Sequence, residues 1–260
     1  MSQSKLVDKK ILTTHMTKGR SGAKIDKIFI HHMAGVLTIE QCGNVFKTRE
    51  ASAHYGVDGK GRVGQYVLEE NTAWHCANGP YNRRSIGIEL ANDGGAKTNW
   101  HVSDKAIAKC IELVAEICKR NGIKKINYTG DLKGNLCMHS WTYATSCPGP
   151  YLKTKFKYIA DQVNKKLGNS TSTTPTKAKN SYTGTIPTKN LENGSTGKQV
   201  EYLQKFLNWY DKSNKLVVDG DFGPKTESAV MKFQIEMDID VDGSVGPQTR
   251  GKIKEFKKKK

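Results

Sequence analysis

KIDKIFIHHMAG, residues 24–35, is the stretch from which the fold is read. Its centre, Ile28-Phe29-Ile30-His31-His32, is rich in β-branched and aromatic residues and predicts a strand. Successive side chains of a strand point to opposite faces, so His31 and His32 cannot serve the same site. HYGVDGKGRVGQYVLE, residues 54–69, reads as a hairpin around Asp58-Gly59. SIGIELAN, residues 85–92, is a third strand; its alternation places Ile86, Ile88 and Leu90 on one face and Gly87 and Glu89 on the other. In SDKAIAKCIELVAEICKRNG, residues 103–122, Ala106, Ile107, Cys110, Ile111, Val114 and Cys118 recur at helical spacing, with Ser103 as N-cap and Gly122 at the C-terminal stop. Strands interspersed with helices predict an α/β domain.

The pattern changes at GNSTSTTPTKAKNSYTGTIPTK, residues 168–189, which is rich in Ser, Thr, Gly, Pro and Lys and reads as a flexible tether. Beyond it, GKQVEYLQKFLNWY places Val200, Leu203, Phe206, Leu207 and Tyr210 on one helical face. VDGDFGPKT at 218–226 recurs as VDGSVGPQT at 241–249, each coupling an Asp-Gly turn to a Gly-Pro helix start. Two such turns connect three short helices. With 260 residues, 36% of them hydrophobic, the chain can build two cores. The expected division is a first domain over 1–167, a linker over 168–190 and an all-α module over 191–260.

The formal charge of +17 is unevenly spread. Residues 1–167 carry 26 basic and 14 acidic side chains, whereas residues 191–256 carry 9 and 11. Such a balance favours a polyanionic partner, whether nucleic acid, an anionic membrane surface or a wall carrying anionic polymers, and charge alone does not choose among them. Scattered lysines also simply keep a surface solvated. Six well-separated cysteines lack the density of a disulfide scaffold, so free thiols and cytosolic synthesis are expected. MSQSKLVDKK has no apolar core of a signal peptide, and no window is long enough to span a membrane. A target outside the membrane then requires a separate membrane-permeabilising protein for release.

A catalytic zinc takes three protein ligands from His, Cys or carboxylate and keeps one position for water. One of His31 and His32 can join His139 and Cys147 of MHSWTYATSCPGP, residues 138–150, in such a set. Singly, each has an ordinary alternative: a strand histidine, a surface-loop residue and a buried thiol. Cys110 and Cys118 lie eight apart on a helix without a nearby histidine and read as core.

In combination, IFIHHMAG, ASAHYGVDGKG, TAWHCANG, SIGIEL and HSWTYATSCPGPYL, in this order over residues 24–165, resemble the zinc amidases related to peptidoglycan recognition proteins. The resemblance implies a mixed central sheet flanked by helices, with Zn2+ held by His31, His139 and Cys147. It further implies hydrolysis of the amide between N-acetylmuramic acid and L-alanine by a water whose pKa the metal lowers towards ~7. Many relatives place a tyrosine immediately before the histidine of the second strand; here Ala53 stands in that place. The resemblance then assigns the proton-carrying role to Glu89, whose ordinary alternative is a surface pair with Arg83 or Arg84. Thr145 matches the position that assists the oxyanion, its alternative being a loop-capping hydroxyl. His54, Trp74, His75 and Asn92 match groove-lining positions, and Trp74 suits either a sugar face or the core. Residues 191–256 resemble the helical peptidoglycan-binding module fused to wall hydrolases. The four terminal lysines, Lys257 to Lys260, either attract anionic wall polymers or form a solvated end.

The reading that follows is a lytic amidase of the phage endolysin type, synthesised in the host cytoplasm and acting on peptidoglycan after release, without stable membrane insertion. A host autolysin shares the chemistry but ordinarily needs an export signal. A non-catalytic peptidoglycan-recognition protein ordinarily lacks the cysteine ligand, which Cys147 supplies here. A nucleic-acid-binding protein would need a basic helix, paired finger ligands or an aromatic-basic platform, and the sequence has none.

Overall fold

A computed structural model describes residues 3–169, 181–212, 214–237, 239 and 242–257. The chain forms two compact units, residues 1–170 and 171–260.

The first unit is built on a six-stranded mixed sheet of order β1-β5-β4-β7-β3-β8. The strands are β1 (Val7–Lys10), β3 (Lys27–His32), β4 (Tyr55–Val57), β5 (Val63–Gln65), β7 (Ser85–Leu90) and β8 (Leu136–Met138). Only the β4–β5 hairpin is antiparallel. A two-stranded ribbon pairs β2 (Met16–Thr17) with β6 (Thr72–Ala73). All six residues of β3 are buried, as a central strand covered on both faces requires. Ile28 and Ile30 with Ile86, Ile88 and Leu90 supply the apolar face. It packs on α3 (Asp104–Arg120) and α4 (Pro150–Lys166), whose Ile107, Ile111, Val114, Phe156 and Ile159 close the main core. Ser103 caps α3 by accepting from Ala106 N–H. The other face carries His31, Gly87 and Glu89; α1 (Ile39–Thr48) packs on β4 and β5, and α2 (Gly79–Arg83) on β6 and β7.

The hairpin is present, but its turn differs from the expected one. Residues 58–62 form the loop, Asp58 Oδ1 accepts from Lys60 and Arg62 N–H, and the left-handed φ of +81° falls on Gly61, not Gly59. The aspartate side chain caps the loop and moves the tight residue two positions on. All six cysteines are free and buried, Cys110 and Cys118 in the helical core as expected.

The second unit packs α5 (Lys198–Tyr210), α6 (Pro224–Glu236) and α7 (Pro247–Glu255) around Val200, Leu203, Phe206, Leu207, Tyr210, Phe222, Val230, Phe233 and Val245. The recurrent sequence unit has a structural meaning. Gln204 Nε2 donates to Asp219 Oδ1 (2.8 Å) and Asp221 O (3.0 Å), and its Oε1 accepts from Gly220 N–H (3.0 Å). Gln234 repeats this with Asp242 Oδ1 (2.8 Å), Ser244 O (2.8 Å) and Gly243 N–H (3.0 Å). Gly220 and Gly243 both sit at φ +74°, which an L side chain rarely adopts, so the Asp-Gly pair is required at each turn. Half of the expected tether, residues 170–180, lies outside the described residues. Its last part differs from the expectation. Tyr182 N–H donates to Phe256 O, and the Tyr182 ring packs on Phe206 and Trp209 at 5.3 and 5.0 Å. The second core therefore begins before residue 191, because a bulky aromatic within the polar stretch finds an apolar seat.

Candidate active site

Parallel pairing sets the site. Ile30 of β3 lies opposite Met138 of β8, so His31 and His139 follow at the same level, and β3–β7 pairing puts His31 beside Glu89. Cys147 comes to this level at the end of the loop after β8, where Ser140 N–H donates to Cys147 O and Thr145 Oγ1 accepts from Cys147 N–H at 3.2 Å. One ligand atom from each of His31, His139 and Cys147 lies within 4.8 Å of the others, and no other group of this kind forms among the described residues. His31 Nδ1 is 3.5 Å from Cys147 Sγ.

The donor set fits a divalent zinc ion. Two imidazoles and a thiol converge, the donor types a zinc ion takes, and the buried His139 Nε2 has no partner. Burial pushes the His31 imidazole well below its ordinary value, as His75 and His139 nearby also do, so the ring is neutral and its lone pair is available. Burial likewise lowers His139 and raises the Cys147 thiol. A thiol in this pocket keeps its proton unless a cation compensates its charge. His32, on the opposite face, packs edge-on against Trp100 at 5.6 Å and takes no part in the cluster, as strand alternation requires.

Glu89 is held differently from every other carboxylate of the unit. Its Oε2 is sealed and has no hydrogen-bond partner. Arg84 is engaged by Asp26 instead, so the surface pair with Arg84 does not form. Tyr66 and Met33, which crowd Gly56 across β4–β7, wall this part of the sheet. Burial raises the Glu89 carboxyl to about 8, against the opposing charge of Arg49.

Three of the four expected groove residues are corrected. His54 is fully buried; Gly87 N–H donates to its Nδ1 (3.1 Å), so its proton is on Nε2, which faces Asn71 O (3.2 Å) and lies 2.8 Å from Arg20 Nη2. Asn92 is 1% exposed, and its amide ties Gly35 N–H to Trp100 O, bracing the loops after β3 and β7. His75 lies behind His31, its Nδ1 3.2 Å from His31 Nε2 and its Nε2 2.9 Å from Ser85 Oγ. Neighbourhood in sequence to a groove does not carry a side chain into it: these three find buried hydrogen-bond partners first. Trp74 alone is partly exposed, with Nε1 donating to Thr17 Oγ1 and its ring 6.1 Å from His15. Ser85 and Gly87 were missed by sequence reasoning, although both share strand parity with Glu89.

A family model described as N-acetylmuramoyl-L-alanine amidase matches residues 21–150, half of the chain, and one described as a putative peptidoglycan binding domain matches residues 196–253. The N-acetylmuramoyl-L-alanine amidase CwlL of Bacillus licheniformis is 31% identical over 71% of this chain, which spans 57% of that relative's length. CwlA of Bacillus subtilis, with the same enzyme name, is 28% identical over 81% of this chain and 83% of its own. Among solved structures, that of PlyL is 23% identical, with a TM-score of 0.45 over 61% of this chain and 95% of that one. Among the described residues, no helix is long and apolar enough to cross a membrane.

Proposed function

The chain belongs to the N-acetylmuramoyl-L-alanine amidase family, and from that premise we propose a zinc-dependent endolysin that hydrolyses the amide joining N-acetylmuramic acid to L-alanine in bacterial peptidoglycan. The observation that carries this reading is the convergence of His31, His139 and Cys147 within 4.8 Å, beside a carboxyl whose sealed oxygen has no partner. When bound there, zinc supplies Lewis acidity and a water of lowered pKa.

The remaining work falls to the chain. His31, neutral through burial, offers Nδ1 towards Cys147. Glu89, raised to about 8, is suited to taking a proton from the attacking water and returning it to the departing L-alanine amine, since an acid–base group works best with a pKa near the operating pH. Thr145 Oγ1 already accepts from Cys147 N–H, which leaves its single hydroxyl hydrogen for the carbonyl oxygen as charge develops. This group is neutral, so its help is a hydrogen bond and not a charge. Trp74, with a partly exposed ring, is assigned to stacking on a sugar face.

The second unit, matched over residues 196–253 by the peptidoglycan-binding family, tethers the enzyme to its insoluble substrate. Its residues 191–256 carry 9 basic and 11 acidic side chains, so recognition rests on hydrogen bonds and apolar contacts. The basic residues of the first unit and of the C-terminal end favour anionic wall polymers. Synthesis in the host cytoplasm, with release through a separate membrane-permeabilising protein, completes the endolysin reading.

The test is digestion of purified Gram-positive walls, with and without a zinc chelator, read by mass spectrometry. Free stem peptides beginning with L-alanine, lost on chelation and restored by zinc, are expected. Binding without new amino termini would leave a recognition protein, and cleaved sugars or internal peptide bonds would replace the assignment.

A further inference from the structure

Behind the proposed metal ligands runs a chain of buried polar groups that leads from backbone to metal site. Ser85 Oγ lies 2.6 Å from Tyr81 O and 2.9 Å from His75 Nε2, and His75 Nδ1 lies 3.2 Å from His31 Nε2. The three side chains are interior: Ser85 is fully buried, His75 is 7% exposed and His31 1%.

Donor and acceptor bookkeeping leaves one solution. A backbone carbonyl only accepts, so the single Ser85 hydroxyl hydrogen goes to Tyr81 O. Ser85 Oγ must then accept, which places the proton of His75 on Nε2. A neutral imidazole carries one proton, so His75 Nδ1 is bare and accepts from His31 Nε2–H. His31 is thereby left with a bare Nδ1, the nitrogen that faces Cys147 Sγ at 3.5 Å. We propose that Ser85 and His75 are positioning residues that fix the tautomer of His31, so that its metal-facing nitrogen is deprotonated before any metal arrives.

Gly87 belongs to the same device. It stands between Ser85 and Glu89 on the same face of β7, and a Cβ there would lie 2.5 Å from His75 Cγ and 2.7 Å from Cδ2. The ring sits directly on the bare backbone of the strand, so no other residue leaves His75 where it can reach His31 and Ser85 at once. His75 is further fixed by its own N–H and that of Cys76, both donating to Asn82 Oδ1 at 3.2 and 3.0 Å. A ligating histidine usually donates its second N–H to a carboxylate, carbonyl or water, and loss of such a partner typically weakens metal binding about 10–100-fold. Here the acceptor is another imidazole, whose own tautomer a serine sets.

This inference rests on the metal centre proposed above, and the experiment separates the two. In zinc-free full-length protein at mildly alkaline pH, long-range proton–nitrogen NMR of the histidine rings is expected to show His31 as the Nε2–H tautomer. In Ser85→Ala the His31 signals are expected to report a mixture of tautomers. Zinc titration against a chromophoric chelator is expected to give a Kd about 10–100-fold weaker in Ser85→Ala, restored in Ser85→Thr, and weakened similarly in Gly87→Ala, whose methyl displaces the His75 ring. A wild-type His31 protonated on Nδ1 would overturn the relay, and so would a zinc Kd unchanged without the Ser85 hydroxyl. The wild-type spectrum decides the matter even if a variant does not fold. A wild-type protein that takes no zinc would instead overturn the metal centre.

Discussion

Replacing Glu89 by Gln should stabilise the metal-stripped protein while abolishing its hydrolytic activity. The folded carboxyl ionises at about 8 against an ordinary 4.5. A group whose folded value is raised in this way favours the fold while protonated: the full contribution is present below about 4.5 and is lost as the pH rises through 8. Each pH unit between the two values corresponds to about 1.4 kcal/mol. From pH 5 to pH 8 the wild type should therefore lose up to about 3.5 kcal/mol of stability from this residue. Oε2 is sealed but the residue as a whole keeps some exposure, which lowers the expectation to about 2–3 kcal/mol. The glutamine variant would have no charge to bury and no such slope. The assay is thermal or urea unfolding in the presence of a chelator at several pH values. The two stability curves should diverge between pH 5 and 8, with melting temperatures separating by roughly 5–10 °C at the alkaline end. Hydrolysis of walls by the zinc-loaded variant should fall by about 10²–10⁴-fold. Parallel stability curves would refute the burial argument, and full activity would remove Glu89 from the proton pathway.

Cys147→Ser should lose zinc binding and wall hydrolysis together while wall association through the second unit persists, as measured by pull-down with insoluble walls. Chelation of the wild type should reproduce that separation reversibly, with activity returning on addition of zinc. Gln234→Ala removes hydrogen bonds to Asp242, Ser244, Thr249 and Gly243 and leaves buried partners unsatisfied. It should destabilise the second unit by about 2–4 kcal/mol, read by urea unfolding and accompanied by loss of wall binding. Thr145→Val should lower kcat about tenfold or more, and Thr145→Ser, which keeps the hydroxyl, should restore it.

Much of this arrangement was legible in the sequence because it follows from strand parity. Alternation in residues 28–32 and 85–90 separated His31 from His32 and isolated Glu89 from its apolar neighbours, and the β3–β7 register pairs His31 with Glu89. The 23-residue recurrence announced two equivalent turns, and Gln204 and Gln234 occupy equivalent places against them. The errors share a cause. His54, His75 and Asn92 sit in the right segments, but a segment's path does not say whether a polar side chain turns outward or satisfies a buried partner. His54 depends on Arg20, 34 residues earlier, and Asn92 on Gly35, 57 residues earlier. Neither pairing has a local signature. Tyr182 escaped for a similar reason, since its partner Phe256 lies near the other end of the module.

The outward row of β7 shows how these observations belong together. Ser85, Gly87 and Glu89 succeed one another on a single face, and none of them supports the apolar core formed by Ile86, Ile88 and Leu90 on the other. Each instead answers a need of the strand beside it. Glu89 pairs with His31, Gly87 leaves the space into which His75 packs behind His31, and Ser85 accepts from that ring. Phe29, opposite Gly87 in β3, lies 5.4 Å from His75 and closes the apolar side of the enclosure. A parallel pair of strands offers evenly spaced, rigid positions, and a site on such elements is held more accurately than one on loops. Cys147 and Thr145, which do lie on a loop, are the members that need additional local hydrogen bonds, and the loop provides them. The sheet thus fixes one proposed imidazole ligand and the carboxyl in advance, leaving the segment after β8 to supply the others.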